Sequence, residues 1–184
     1  MSEPVNDQNP ATGEFLRERR FARQCALLFL YQADQQGEWG NLARNLAILK
    51  RQVVELPECP EGSSLDRAWS FAEKLSRGVC EKRTELDERI SECATNWTVD
   101  RMSVIDRNII RLTAYQLLHC PQVPPAAAIN EAIELAKEYG HKDSSRFVNG
   151  VVDRLWRQHC PPETPAPDDA AEPAAAEPPA TPEA

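Results

Sequence analysis

Between Ala22 and Leu155 the apolar residues recur at steps of three and four, and no segment alternates apolar with polar over the length of a strand. A chain patterned in this way has to bury stripes along helices. Ala22, Cys25, Ala26, Phe29 and Ala33 mark the first helix, which Gly37 stops, and Leu42, Leu46, Leu49 and Val53 mark a second. A longer pattern follows Ser64 through Trp69, Ala72, Leu75 and Val79, then Leu86, Ile90, Cys93 and Trp97. It reads as one helix or two, with Gly78 at a kink or a close contact. Ser103 stands three residues before Asp106, the spacing of a helix-starting cap, and Val104, Ile105, Ile109, Leu112, Tyr115 and Leu118 follow before Pro121. Pro124 and Pro125 suit the first turn of the next helix, carried by Ile129, Ala132, Ile133 and Ala136 to Gly140, an expected left-handed cap. The last helix starts near Ser144 and buries Phe147 or Val148, then Val151, Val152 and Leu155. The expected architecture is all-α, with six or seven helices and short connections.

Composition divides the 184 residues into three stretches. Residues 1–14 read as a flexible polar leader, 15–160 as the helical domain and 161–184 as a disordered tail. The tail holds eight prolines, eight alanines and six acids with no aromatic residue and no base, too little apolar surface to offset its ordering entropy. Setting its six acids aside reduces the formal charge of −8 to −2, so the acidity of the whole chain says little about the domain. Locally the balance reverses, because Arg17, Arg19, Arg20 and Arg23 face only Glu18 within seven residues. The six cysteines form no C-x-x-C pair and several fall at apolar helix positions, as reduced thiols would. No stretch approaches the roughly 18 apolar residues of a membrane span, and the start lacks a secretory apolar core. A cytoplasmic protein with no membrane partner is expected.

On the first helix, Arg20, Gln24, Leu27 and Tyr31 lie almost opposite the apolar stripe, with Arg20 and Tyr31 a rise of roughly 16 Å apart. Guanidinium groups pair with phosphates and phenol rings stack on bases, the combination that holds single-stranded RNA. A solvated arginine cluster at a helix start is the plainer alternative. The junction from Tyr139 to Phe147 joins aromatic, acidic and basic groups at a helix start, where free N–H groups and Arg146 can receive a phosphate. There Asp143 serves equally well as a helix cap, and Phe147 as core. The glycine in Asn149-Gly150 interrupts a helical pattern, for which close helix packing is the expected reason.

Features of catalytic or metal sites are weak. His119-Cys120 and His159-Cys160 lack the ligand spacing of structural zinc. Gly37-Glu38-Trp39-Gly40 has the outline of a G-x-x-G loop without a basic middle. Neither a phosphate-binding glycine loop nor a nucleophile–base pair is present, so no enzyme and no cofactor are expected.

Two runs, RRFARQCALLFLYQ from Arg19 to Gln32 and AINEAIELAKEYGHKDSSRFVNGVVDRLW from Ala128 to Trp156, resemble the NusB family of transcription antitermination factors. The resemblance is specific at these two ends and loose between Gly37 and Ala94. It implies two helical bundles packed on each other and an arginine-rich RNA-binding motif carried by Arg19, Arg20, Arg23 and Tyr31. It further implies RNA contacts at Tyr139, Arg146 and Phe147, with Asp143 beside them. Phe21 departs from it, standing where the family often has a base, which implies somewhat weaker RNA binding. The implied ligand is single-stranded boxA RNA in nascent ribosomal RNA. The implied partners are NusE, a small-subunit ribosomal protein, and the RNA polymerase antitermination complex. Two alternatives stay open: a helical adaptor that binds protein alone, and the NusB-like domain fused to RNA methyltransferases, which the absence of a following methyltransferase sequence disfavours.

Overall fold

The structure, a computed structural model, describes residues 10–160 except Asn96. Six α-helices and one 3-10 turn follow in order: α1 Pro10–Gln36, α2 Leu42–Val53, α3 Gly62–Cys93, η1 Val99–Arg101, α4 Val104–His119, α5 Pro125–Tyr139 and α6 Ser144–His159. No strand occurs among the described residues. The expected tail, 161–184, lies outside them, as does most of the expected leader. The rest of that leader is a correction, since α1 already begins at Pro10.

Helices α1 to α3 pack together and α4 to α6 pack together, and α1 and α3 also lie on α4, so one continuous apolar core serves both halves. Leu30, Leu75, Leu86, Ile90, Ile109, Ile110 and Leu155 are its largest fully buried members. α1 is the central strut. From Phe21 to Leu27 every residue is buried, Gln24 and Leu27 included, because α2, α3 and α4 surround it. The outer stripe expected on this helix is therefore wrong at its middle. A helix enclosed on all sides carries apolar residues all round, and Leu27 in that stripe was the sign of it.

A polar hub at the far end of α1 fixes the three central helices. Asp34 accepts hydrogen bonds from Arg107 Nη2 at 2.6 Å and Nε at 2.7 Å, from Asn108 Nδ2 at 2.8 Å and from Arg111 Nη1 at 2.9 Å. Arg111 also donates to both Asp87 oxygens at 2.7 and 2.9 Å. Burial alone would raise the Asp34 carboxyl, but the hydrogen bonds and charges of Arg107, Asn108 and Arg111 together hold it below its ordinary range.

Local signals set most helix ends. Ser103 Oγ accepts from the Asp106 N–H at 3.0 Å, and Pro125 opens α5. α3 is one uninterrupted helix of 32 residues, and Gly78 marks a close contact. A Cβ there would lie 1.9 Å from Tyr115 Cζ. Three expectations are corrected. Gly140 is extended (φ −90°, ψ −175°) and not left-handed, and what requires glycine is space, since a Cβ would come within 2.5 Å of Ala136 O and Ser144 Cβ. Gly150 packs against no helix, because nothing lies within 4 Å of where its Cβ would be. Trp97 lies beyond the end of α3 and stays 47% exposed.

Candidate nucleic-acid interface

The arginines of α1 do not sit at a helix start, as the sequence pattern implied, but about two to three and a half turns inside a helix that begins at Pro10. Any penalty against the helix dipole falls away with that position. Each of them is also differently engaged. Arg19 stacks its guanidinium over Phe71 at 4.0 Å and Phe15 at 4.8 Å, in a trough that also holds Glu14, Glu18 and Asp66. Glu18 is itself held by Arg67, whose hydrogen bonds lower its carboxyl below the usual range.

Arg23 is 5% exposed, and its Nε donates to Gln116 Oε1 on α4 at 2.8 Å. Burial draws its guanidinium below the ordinary arginine value, partly offset by the charge of Glu131. This corrects the surface position expected for Arg23: in this conformation it reaches no phosphate and ties α1 to α4. The buried Phe21, which interrupts the basic run, is core.

Arg20 is at the surface, its side chain 43% exposed, with Nη2 paired to Glu138 Oε2 at 3.0 Å. Gln24 Nε2 donates to Glu138 Oε1 and to Glu58 Oε2, both at 3.3 Å. Next to Glu138, Tyr139 is 38% exposed, and its phenol is pushed up to about 12, first by burial and then by the carboxylates of Glu138 and Glu58. It therefore stays a neutral hydroxyl that stacks and donates at any ordinary pH. The fold thus brings Arg20 and Tyr139 from opposite ends of the sequence to one place. Tyr31, farther along α1 and 36% exposed, receives a long hydrogen bond from Gln35 at 3.5 Å and bonds to neither group.

The turn from Gly140 to Asp143 carries the surface onward from Tyr139. Ser144 Oγ accepts from the His141 N–H at 2.8 Å and closes this turn. Asp143 occupies the cap position of α6, but its side chain makes no capping bond, so the structure leaves its carboxylate outside the cap role weighed for it. Arg146 is exposed, and Phe147 is half-buried, packed edge-on against Trp97 with centroids 5.7 Å apart. Trp97 was missed because the helical pattern assigned it to the core. Its position four residues after the α3 terminus, in a stretch rich in polar residues, was the available signal.

Chemically this surface offers guanidinium groups and aromatic rings. Burial raises all six thiols, Cys25 to about 12 and Cys80 to about 11, which disfavours the reactive thiolate form. Among the described residues, no group of three His, Cys, Asp or Glu side chains is placed to hold a metal, and no helix is long and apolar enough to cross a membrane. The class so defined is a small all-helical binding factor with arginine–aromatic surfaces.

Residues 20–157 match the family model described as NusB family, and the chain belongs to that family. The transcription antitermination protein NusB of Elusimicrobium minutum is 41% identical over 144 residues, covering 76% of this chain and 94% of that protein. Among solved structures, NusB of T. maritima is 34% identical with a TM-score of 0.64, covering 78% of this chain and 93% of that one. A chain from the crystal structure of antitermination factors NusB and NusE in complex with dsRNA is 24% identical, with a TM-score of 0.66 over 77% of this chain and 98% of that one, and shares the fold. The relatives are antitermination factors and not enzymes.

Proposed function

We propose that this protein is a cytoplasmic transcription antitermination factor that binds the boxA RNA of nascent ribosomal RNA together with NusE. The pair would tether that RNA to elongating RNA polymerase. The binding unit is residues 15–160, and the action is assembly, with no covalent step. The observation that carries this is the meeting of Arg20 and Tyr139 at the end of α5, one short turn from Arg146 and Phe147 at the start of α6. Arginine forks suit phosphates and aromatic faces suit unpaired bases, and the turn from Gly140 to Asp143 joins the two groups. Membership of the NusB family supports the same assignment. So do relatives that bear the name transcription antitermination protein, and a NusB of the same fold occurs in complex with NusE and dsRNA. Arg19, Arg20 and Arg146 are the expected phosphate partners, Tyr139 and Phe147 the expected stacking partners, with Asp143 at a base edge. Tyr31 is expected at the margin, and Arg23 contributes by holding α1 in place.

The test is titration of the full chain, with and without NusE, against a short single-stranded boxA RNA at several salt concentrations. Neutralising three phosphates on a single strand predicts a log–log slope of about −2. Millimolar, salt-independent binding in both arms would overturn the proposal and leave a protein-only adaptor.

A further inference from the structure

The groove beside Phe147 extends well past the residues used so far. It runs between α6 and the connection after α3, encloses about 600 Å³, and is lined by Trp97, Asp143, Arg146, Phe147, Gly150 and Arg154 among others. Trp97 presents a half-exposed indole, with Phe147 edge-on at an interplanar angle of 62° and the Arg101 guanidinium 5.9 Å from its ring. Arg154 lies farther along. Its Nη1 donates to the Cys93 carbonyl at 2.7 Å and to the Thr95 hydroxyl, so among the described residues its charge meets uncharged acceptors.

The charge around the aromatic pair is unequal. Arg101, Lys142, Arg146 and Arg154 surround it and make no ion pair among the described residues, against the carboxylates of Asp143 and the largely buried Asp106. Gly150 adds an independent observation. It interrupts the interior of α6, where alanine is the better helix former, yet none of the described residues occupies the space its side chain would fill. No contact among the described residues accounts for a bare backbone there.

We infer that this groove holds one unpaired nucleotide of the bound RNA, its base stacked on Trp97, its phosphate between Arg146 and Arg154, and its backbone crossing α6 over Gly150. An exposed indole beside unpaired guanidiniums is the chemistry of a sequence-tolerant single-strand site. The inference rests on the RNA-binding function proposed above. It adds Trp97, Arg154 and Gly150 to the path and continues it beyond the α5–α6 turn.

Two substitutions in the full chain test it, titrated with a fluorescein-labelled single-stranded boxA RNA in the presence of NusE. Trp97→Ala, at an exposed position, is expected to weaken binding roughly 5- to 100-fold, the usual worth of one base–aromatic stack, while Trp97→Phe retains most of it. Because the stack carries no charge, the salt slope should match the unaltered chain, whereas Arg146→Ala should reduce its magnitude by about 0.7. Gly150→Ala should raise the thermal midpoint of the free chain and weaken RNA binding, a pairing that a merely structural glycine does not produce. RNA binding at the unaltered strength by both Trp97→Ala and Gly150→Ala overturns the inference and leaves the proposed function standing. Loss of NusE binding with RNA binding intact in Trp97→Ala also overturns it, assigning the groove to protein. Failure of the unaltered chain to bind RNA in any condition overturns both.

Discussion

Arg20 meets a carboxylate before any RNA arrives. Its 3.0 Å pair with Glu138 and the two amide contacts of Gln24 place negative charge where a phosphate is expected to dock. Such a half-exposed pair is worth at most about 1 kcal/mol, small enough for a phosphate to displace yet large enough to register in affinity. Glu138→Gln is therefore expected to tighten boxA binding two- to fivefold with little change in stability, read by the same fluorescence titration. Unchanged or weaker binding would remove Arg20 from the RNA path. The residue scale is also where sequence reading failed most clearly. Arg20 and Tyr139 carry their chemistry in their types, so both could be picked out. Arg23 could not be separated from them, because its burial depends on Gln116, 93 residues away. A helical wheel holds no record of a third neighbouring helix.

Helix identity was legible wherever a boundary has a local cause. Ser103, Pro121 and Pro125 act through their own backbone or the next turn, and α4 and α5 begin where those residues place them. Boundaries without such a local cause were not legible. α1 extends back to Pro10 through an exposed segment from Thr12 to Arg17, and α3 ends at Cys93, short of Trp97. The glycines divide in the same way. Gly78 is explained by the Tyr115 ring of α4 lying against α3, a contact that sequence could offer only as one of two possibilities. Gly78→Ala forces that ring to move and is expected to cost about 1 to 3 kcal/mol of stability, the usual penalty of overpacking. Urea denaturation would show it as a lower midpoint at unchanged slope. A midpoint equal to that of the unaltered chain would mean that α3 and α4 separate more easily than their packing implies.

At the scale of the whole molecule, the all-α class followed from periodicity alone, because only helices bury stripes spaced at three and four residues. The arrangement of those helices did not. The Asp34 hub joins residues up to 77 apart in sequence and fixes α1 against α3 and α4. That fixed frame sets the Arg20–Gln24 segment of α1 beside the end of α5, the juxtaposition on which RNA binding is proposed to depend. Of the interface, the two ends of the sequence were visible as patches, while the Trp97 groove between α6 and the α3–α4 connection appears only in three dimensions. The most direct measurement is photo-crosslinking of the full chain and NusE to boxA RNA carrying 4-thiouridine, with adducts mapped by mass spectrometry. Adducts at Tyr139 and Phe147, extending to Trp97, are predicted. Adducts confined to α2, or none on this protein while NusE is labelled, would contradict an RNA-binding surface at the α1–α5–α6 edge.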